Sequence, residues 1–210
     1  MSSISIIGLG NMAGALAGRA LAGGNAVEII GRDPARAGKL AAALGGATAG
    51  TAGTAPAGDI VILAVPYAGA AAVVRKYGDA LRGKVIIDIT NPVSPDLKGL
   101  VTPDGSSAAQ EIAEAAPSGA HVVKAFNTLF SHVLAAGPAD GHPLDVFIAG
   151  DDAEAKARVS AFIESLGLRA LDTGPLSMAR TLEHVGLLAI GLVTHSVKHT
   201  DFSLGVSLLG

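Results

Sequence analysis

Residues 4–36 place the tightest constraint on this chain. An apolar strand (Ile4, Ile6, Ile7) leads into a glycine turn, a helix of small residues and a second apolar run, Val27-Glu28-Ile29-Ile30. The turn reads Gly8-Leu9-Gly10-Asn11-Met12-Ala13, a GxGxxA pattern held between strand and helix in a unit of about 30 residues. That frame fits a βαβ unit that binds a dinucleotide. Gly8 permits the tight turn, Gly10 lets backbone N–H groups approach a pyrophosphate, and Ala13 lets the helix lie close to the strand. The start of the helix adds unpaired N–H donors and a positive dipole end, which suit an anion.

The rest of the chain extends this unit. The helix over 11–21 stops at Gly23-Gly24, a strand follows over 26–30, and Pro34 opens a helix that runs to residue 44. Residues 47–58 hold little but Ala, Thr, Gly and Pro. They are read as a short third strand near Ala47 and a poor helix, with an unstructured linker as the alternative. Residues 59–65 are a near-continuous apolar run, as expected of a central parallel strand covered on both faces. A helix over 68–81, a strand over 84–89, a loop over 93–105, a helix over 108–116 and a strand over 121–125 continue the alternation. Such a series predicts a parallel sheet with right-handed crossovers. Beyond it come a strand over 145–149, a helix over 152–166, a strand over 168–172 and a long apolar helix from about Ser177 to His195. The expected fold is therefore α/β, a doubly wound Rossmann parallel sheet with a small C-terminal extension ending in a long helix. Residues 1–125 form the dinucleotide-binding core, and 126–210 complete the sheet and cover the cleft, as one compact unit.

Composition removes several function classes. The chain has no cysteine, which excludes disulfides, thiolate nucleophiles and iron–sulfur ligation. A net charge of −3 without a basic stripe argues against a nucleic-acid surface. The longest apolar run near the C-terminus, 185–193, is short for a membrane span, and a strand beginning by Ile4 leaves no room for a signal peptide. A cytoplasmic protein is expected.

The ribose end of the site separates the two dinucleotides. NAD-binding proteins carry an Asp or Glu about 20 residues beyond the glycines, to accept from the ribose hydroxyls. Here that place holds Gly31-Arg32, with Arg36 one helical turn later. No carboxylate repels a phosphate at Gly31, and a guanidinium grips one with two N–H groups. The reading is NADP. Its alternative gives Asp33 the carboxylate role, but Asp33-Pro34 looks like a helix cap. Three more strand ends should meet at the ligand-binding edge: Ala64-Val65-Pro66-Tyr67, Ile89-Thr90-Asn91-Pro92 and Lys124-Ala125-Phe126-Asn127-Thr128. Their backbones and the Asn91, Asn127 and Thr128 side chains are candidates to position a carboxamide and ribose. Other polar groups are read as structural. His195 and His199 stand four apart without a third metal ligand, and no metal site is expected. Asp151-Asp152 and Ser177 are read as helix caps.

Together these segments resemble the reduced coenzyme F-420:NADP oxidoreductase family. The segments that carry the likeness are the glycine turn, Gly31-Arg32-Asp33, Ala64 to Tyr67, Val122 to Thr128 and Asp172-Thr173-Gly174-Pro175-Leu176. The dinucleotide domain of the STEAP metalloreductases is similar around Lys124 to Asn127. The likeness extends to the Gly-Asp-Asp helix start at Gly150 and to Asp201-Phe202-Ser203-Leu204-Gly205. It implies a Rossmann domain with a small C-terminal part, usually a homodimer. It also implies a phosphate turn at Gly8, Leu9, Gly10, Asn11, Met12 and Ala13, and a 2′-phosphate site at Arg32 and Arg36. The nicotinamide region falls at Val65-Pro66, with Ala64, Asn91, Pro92, Ala125 and Asn127 nearby. The archaeal deazaflavin enzymes carry a His-Thr pair where this chain has Asn127-Thr128, so the second carrier is either coenzyme F-420 or a flavin such as FMN or FAD. Hydride transfer between two such rings needs orientation more than acid–base groups. No catalytic triad is expected, and Asn127, Thr128 and His132 are positioning candidates. The alternatives are a non-catalytic NADP(H)-sensing module and a STEAP-like flavin or metal reductase.

Overall fold

The computed structural model describes residues 1–138, 143–207 and 209. It begins with β1 (Ser3–Ile7), α1 (Asn11–Ala22), β2 (Ala26–Gly31), α2 (Pro34–Leu44) and β3 (Thr48–Thr51). Then follow β4 (Ile60–Leu63), α3 (Tyr67–Tyr77), β5 (Val85–Asp88), α4 (Ala108–Ala115) and β6 (His121–Lys124). Last come α5 (Ser131–Ala136), β7 (Asp145–Gly150), α6 (Ala153–Ser165), β8 (Arg169–Asp172) and α7 (Ala179–Leu192). Among the described residues the eight strands form one sheet in the order β3-β2-β1-β4-β5-β6-β7-β8. This is a Rossmann-like sheet. β1 to β6 pair in parallel, and β1 lies centrally, with Ile6 opposite both Ile29 and Ile62.

Apolar continuity in the strands follows from cover on both faces. One face packs Leu16, Ala37, Leu134, Val159 and Phe162 from α1, α2, α5 and α6. The other packs Val74, Ile112, Leu176 and Ala179, from α3, α4, the turn before α7 and α7 itself. Small residues bring α1 close on two sides. Ala13, Ala17 and Ala20 are fully buried, while Gly14 and Gly18 face Leu40 and Leu44 of α2.

Several expectations are corrected. No helix forms between β3 and β4; residues 52–59 are a loop. An extended loop of eight residues reaches about 26 Å, enough to pass three strand spacings of about 4.8 Å and return along a short strand. The helix expected over 68–81 ends at Tyr77, where Gly78 takes φ +48°, and a 3-10 turn (Gly78–Leu81) completes it. Helix α5 was not anticipated from the sequence. β7 joins β6 antiparallel, and β8 then pairs with β7 in parallel, so the sheet is mixed at that edge.

The expected long C-terminal helix is present, and it outruns the apolar stretch within it. A 3-10 turn (Leu176–Met178), α7 and a π-helical turn (Val193–Val197) make one continuous 22-residue helix, Leu176–Val197, of mean hydropathy 1.3 over its most apolar window. By length and composition it meets the requirement of a membrane span, which the nine-residue run did not. It nevertheless packs on β7 and α4 and carries a fully buried glutamate, Glu183, into the interior. Ser177 lies inside the 3-10 turn and caps nothing. His195 and His199 are both exposed; His195 lies in the π turn, which the left-handed Lys198 ends before His199, so the two do not share one helical face.

Phe162 is fully buried and meets Phe126 edge to face, with centroids 6.2 Å apart. Phe162→Ala should cost about 3–5 kcal/mol, read as a lower urea midpoint at unchanged slope.

Candidate functional site

At the glycine turn, Gly8 takes φ +142°, and a Cβ there would stand 2.0 Å from the Ala64 carbonyl oxygen. Only glycine lets β1 turn so close to β4. A side chain at Gly10, by contrast, would enter open space, and Gly10 caps α1 with no side-chain bond and no acidic residue in the first turn. The free N–H groups and dipole end of α1 therefore stay available to an anion. Ala13 is buried against the sheet. Gly31 serves a further purpose: a Cβ there would strike the Leu9 side chain at 2.4 Å.

These pieces open on a groove of about 870 Å3 along the carboxyl ends of the strands, within the usual range for ligand sites. Of the sequence-predicted residues, Gly8, Leu9, Gly10, Gly31, Arg32, Arg36, Ala64, Val65 and Pro66 line it. Asn11, Met12 and Ala13 lie on α1 behind the turn. Asp33 reaches the groove, but its Oδ1 accepts from the N–H groups of Ala35 and Arg36 at 3.0 and 3.2 Å. Its carboxylate is thus engaged as the cap of α2, and the two arginines dominate that end.

The sequence reading missed the opposite wall. Ala52 and Gly53 after β3, and Gly69, Val73, Lys76 and Tyr77 of α3, complete the groove, with Tyr77 Oη accepting from Gly53 N at 3.4 Å. The spacing of Gly69, Val73 and Lys76 marks one helical face, but no turn motif singles it out.

Asn91, Pro92, Ala125 and Asn127 sit outside the groove, at the neighbouring ends of β5 and β6. Asn91 Nδ2 donates to the Asn127 carbonyl at 2.7 Å. Asn127 Nδ2 donates to Asn91 Oδ1 at 2.9 Å and to the Leu182 carbonyl of α7 at 2.8 Å. Asn127 is buried and its Oδ1 has no partner among the described residues. That orphaned acceptor fits an amide donor, and the open space at Gly10 fits a pyrophosphate, so the residues present suit a nicotinamide dinucleotide. Phe126, just before Asn127, takes φ +60°, rare for a bulky residue and worth about 1–2 kcal/mol of strain. Thr128 is buried; His132 is half-exposed and its Nε2 meets the Thr200 carbonyl at 3.1 Å and Asp201 Oδ1 at 2.9 Å. His132 is thereby tied to the C-terminal tail.

A charge cluster beside Asn127 was also missed. Lys124 Nζ, fully buried, donates to Asp88 Oδ2 at 2.7 Å, the Thr90 carbonyl at 2.6 Å and Glu183 Oε1 at 2.9 Å. All three ammonium protons are placed. Glu183 Oε1 also accepts from Ala108 N at the start of α4, at 3.0 Å, while its Oε2 is buried without a partner among the described residues. One ammonium faces two carboxylates, and burial resists the surplus negative charge. Burial pushes the Glu183 carboxyl above its usual range, and nearby Asp88 adds to this, against the pull of Lys124. At the next strand end, burial and a 2.9 Å bond donated to Glu111 push the Tyr67 phenol up to about 12. The only advance signal was one charged residue ending each of two apolar strands, Asp88 and Lys124, and one inside an apolar helix, Glu183.

The family described as NADP oxidoreductase, coenzyme F420-dependent, matches residues 3–92. The chain is 32% identical over 185 residues, 88% of its length, to metalloreductase STEAP3 of Rattus norvegicus, and spans 36% of that protein. It is 30% identical over 159 residues to the F420-dependent NADP reductase of Methanocaldococcus jannaschii, covering 72% of this chain and 68% of that reductase. Among solved structures, a provisionally assigned F420-dependent NADP-reductase from Arthrobacter sp. FB24 superposes with a TM-score of 0.87 at 26% identity, covering 99% of this chain and all of that one.

Because the folded-state value of Glu183 is raised, its contribution to stability is full at acid pH and lost as pH climbs through that value. Glu183→Gln removes this titration. The stability of the wild type relative to the variant should fall as pH rises above about 4.3, the ordinary glutamate value, in urea titrations at a series of pH values. A relative stability that rises with pH would contradict the reading.

Proposed function

The chain belongs to the F420-dependent NADP oxidoreductase family, and from that premise we propose that it binds NADP(H) in the groove and exchanges hydride between NADP(H) and a deazaflavin or flavin. One observation carries the NADP assignment. Arg32 and Arg36 flank the ribose end, Gly31 stands where a carboxylate would select NAD, and Asp33 is engaged as a cap.

The start of α1 holds the pyrophosphate with backbone N–H groups, and the two arginines hold the 2′-phosphate. Val65 and Pro66 give the groove an apolar wall that keeps water from the reacting face. Beyond the groove, at the ends of β5 and β6, Asn127 Oδ1 accepts from the carboxamide, and the Asn91 side chain, bonded to the Asn127 carbonyl and amide, holds that turn. When bound, the nicotinamide supplies or takes up the hydride; the protein orients it and excludes water. The acceptor is coenzyme F-420 or a flavin. Asn127-Thr128 and the similarity to STEAP3 keep the flavin in the reading. A homodimer in the cytoplasm completes the proposal.

Arg32→Ala should weaken NADPH about tenfold, or ~1.4 kcal/mol, and change NADH less than about twofold, by fluorescence titration. A wild type that prefers NADH removes the assignment. Bleaching of the deazaflavin or flavin band by NADPH identifies the carrier. Tight NADPH binding without turnover on either would leave a sensing module in place of a reductase.

A further inference from the structure

Glu183 touches nothing in the groove, yet three successive features around it seat α7 on the strand ends. The Leu182 carbonyl accepts from Asn127 Nδ2 at 2.8 Å. Glu183 Oε1 accepts from both Lys124 Nζ and Ala108 N, at 2.9 and 3.0 Å. Gly186 lies against Asn91, where a Cβ would stand 2.5 Å from Oδ1. One helical turn of α7 therefore grips the ends of β5 and β6 and the start of α4. Inside that grip lies Asn127, with an acceptor oxygen that is buried and unpartnered. Its aim depends on the α7 carbonyl that takes one of its amide protons, and on the strained turn at Phe126.

We propose that Glu183 is a positioning residue for the nicotinamide half of the cofactor: by tying α7 to Lys124 and to the start of α4, it holds Asn127 with its free oxygen ready for the carboxamide. This rests on the cofactor reading above and assigns a role to a residue remote from the groove. The adenine half is indifferent to it. Arg32, Arg36, Gly8 and Gly10 are held by β1, β2, α1 and α2, and none of them bonds to α7. Loss of Glu183 therefore acts on one half of the ligand. The two acceptor contacts need a carbonyl-type oxygen, not a charge, so glutamine serves in its place.

The test compares NADPH with adenosine 2′,5′-bisphosphate, which carries only the adenine half, by calorimetric titration. Glu183→Ala should weaken NADPH about tenfold and leave the bisphosphate within about twofold of wild type. Glu183→Gln should restore NADPH to within about twofold. Asn127→Ala should give the same selective loss, and the Glu183→Ala/Asn127→Ala pair should lose no more than the larger single change. Glu183→Asp withdraws the carboxylate by one methylene and keeps the charge; it should show the selective loss in a chain that folds even if Glu183→Ala does not. Affinities for both ligands falling together, NADPH affinity unchanged in Glu183→Asp, or losses that add in the double variant would each overturn the proposal. A wild type that binds neither ligand would overturn the cofactor reading itself, and this inference with it.

Discussion

A lysine ammonium with no water around it must find three acceptors, and in this protein that requirement joins the two halves of the chain. Lys124 finds them on β5, on the loop after it and on α7. Removing any one acceptor leaves a buried proton donor unpaired, a cost of about 1–3 kcal/mol or more for a charged group. The position of α7 is therefore set by a charge on the sheet edge as much as by apolar packing. The second carboxylate makes the cluster over-supplied with negative charge, and a raised Glu183 carboxyl is the physical outlet. A helix long and apolar enough for a bilayer is in this way anchored to the interior through its one buried acid.

The two ends of the cofactor region are built on different principles. At the glycine-turn end everything is local. A glycine turn, a helix start left without acidic residues, and two arginines within one helical turn produce an anion site from some thirty residues of chain. At the other end Asn91, Lys124, Asn127 and Glu183 come from three separate stretches, and each fixes another. Such long-range polar networks are satisfied together or not at all. The strained φ at Phe126 persists because the surrounding core, with Phe162 edge-on to its ring, over-determines it.

Legibility follows the same division. β1, α1, β2 and α2 were readable to within a residue because glycine, proline and apolar period each act on neighbours in sequence. The helix expected after β3 was not there, since Ala, Thr and Gly carry no strong period and a short extended loop covers the same distance. α5 and the antiparallel entry of β7 left no local mark, because strand direction is a matter of which edge is free. The groove wall from α3 was hidden for a related reason. Val73, Lys76 and Tyr77 become a wall only when the helix lies beside the ends of β1 and β4. Asn91 and Asn127 were visible as strand-end amides, but their bonds to each other and to α7 were not.

By itself the sequence determined the βαβ unit, the anion-binding turn and the absence of a carboxylate at Gly31, since each depends on backbone sterics and side-chain charge within a few residues. Only the tertiary structure decided that Lys124 and Glu183 meet, and that one oxygen of Asn127 is left free. Those outcomes depend on which polar groups compete for the same partner in space. That competition is settled when the sheet edge and α7 come together, and nothing in the order of residues along the chain expresses it.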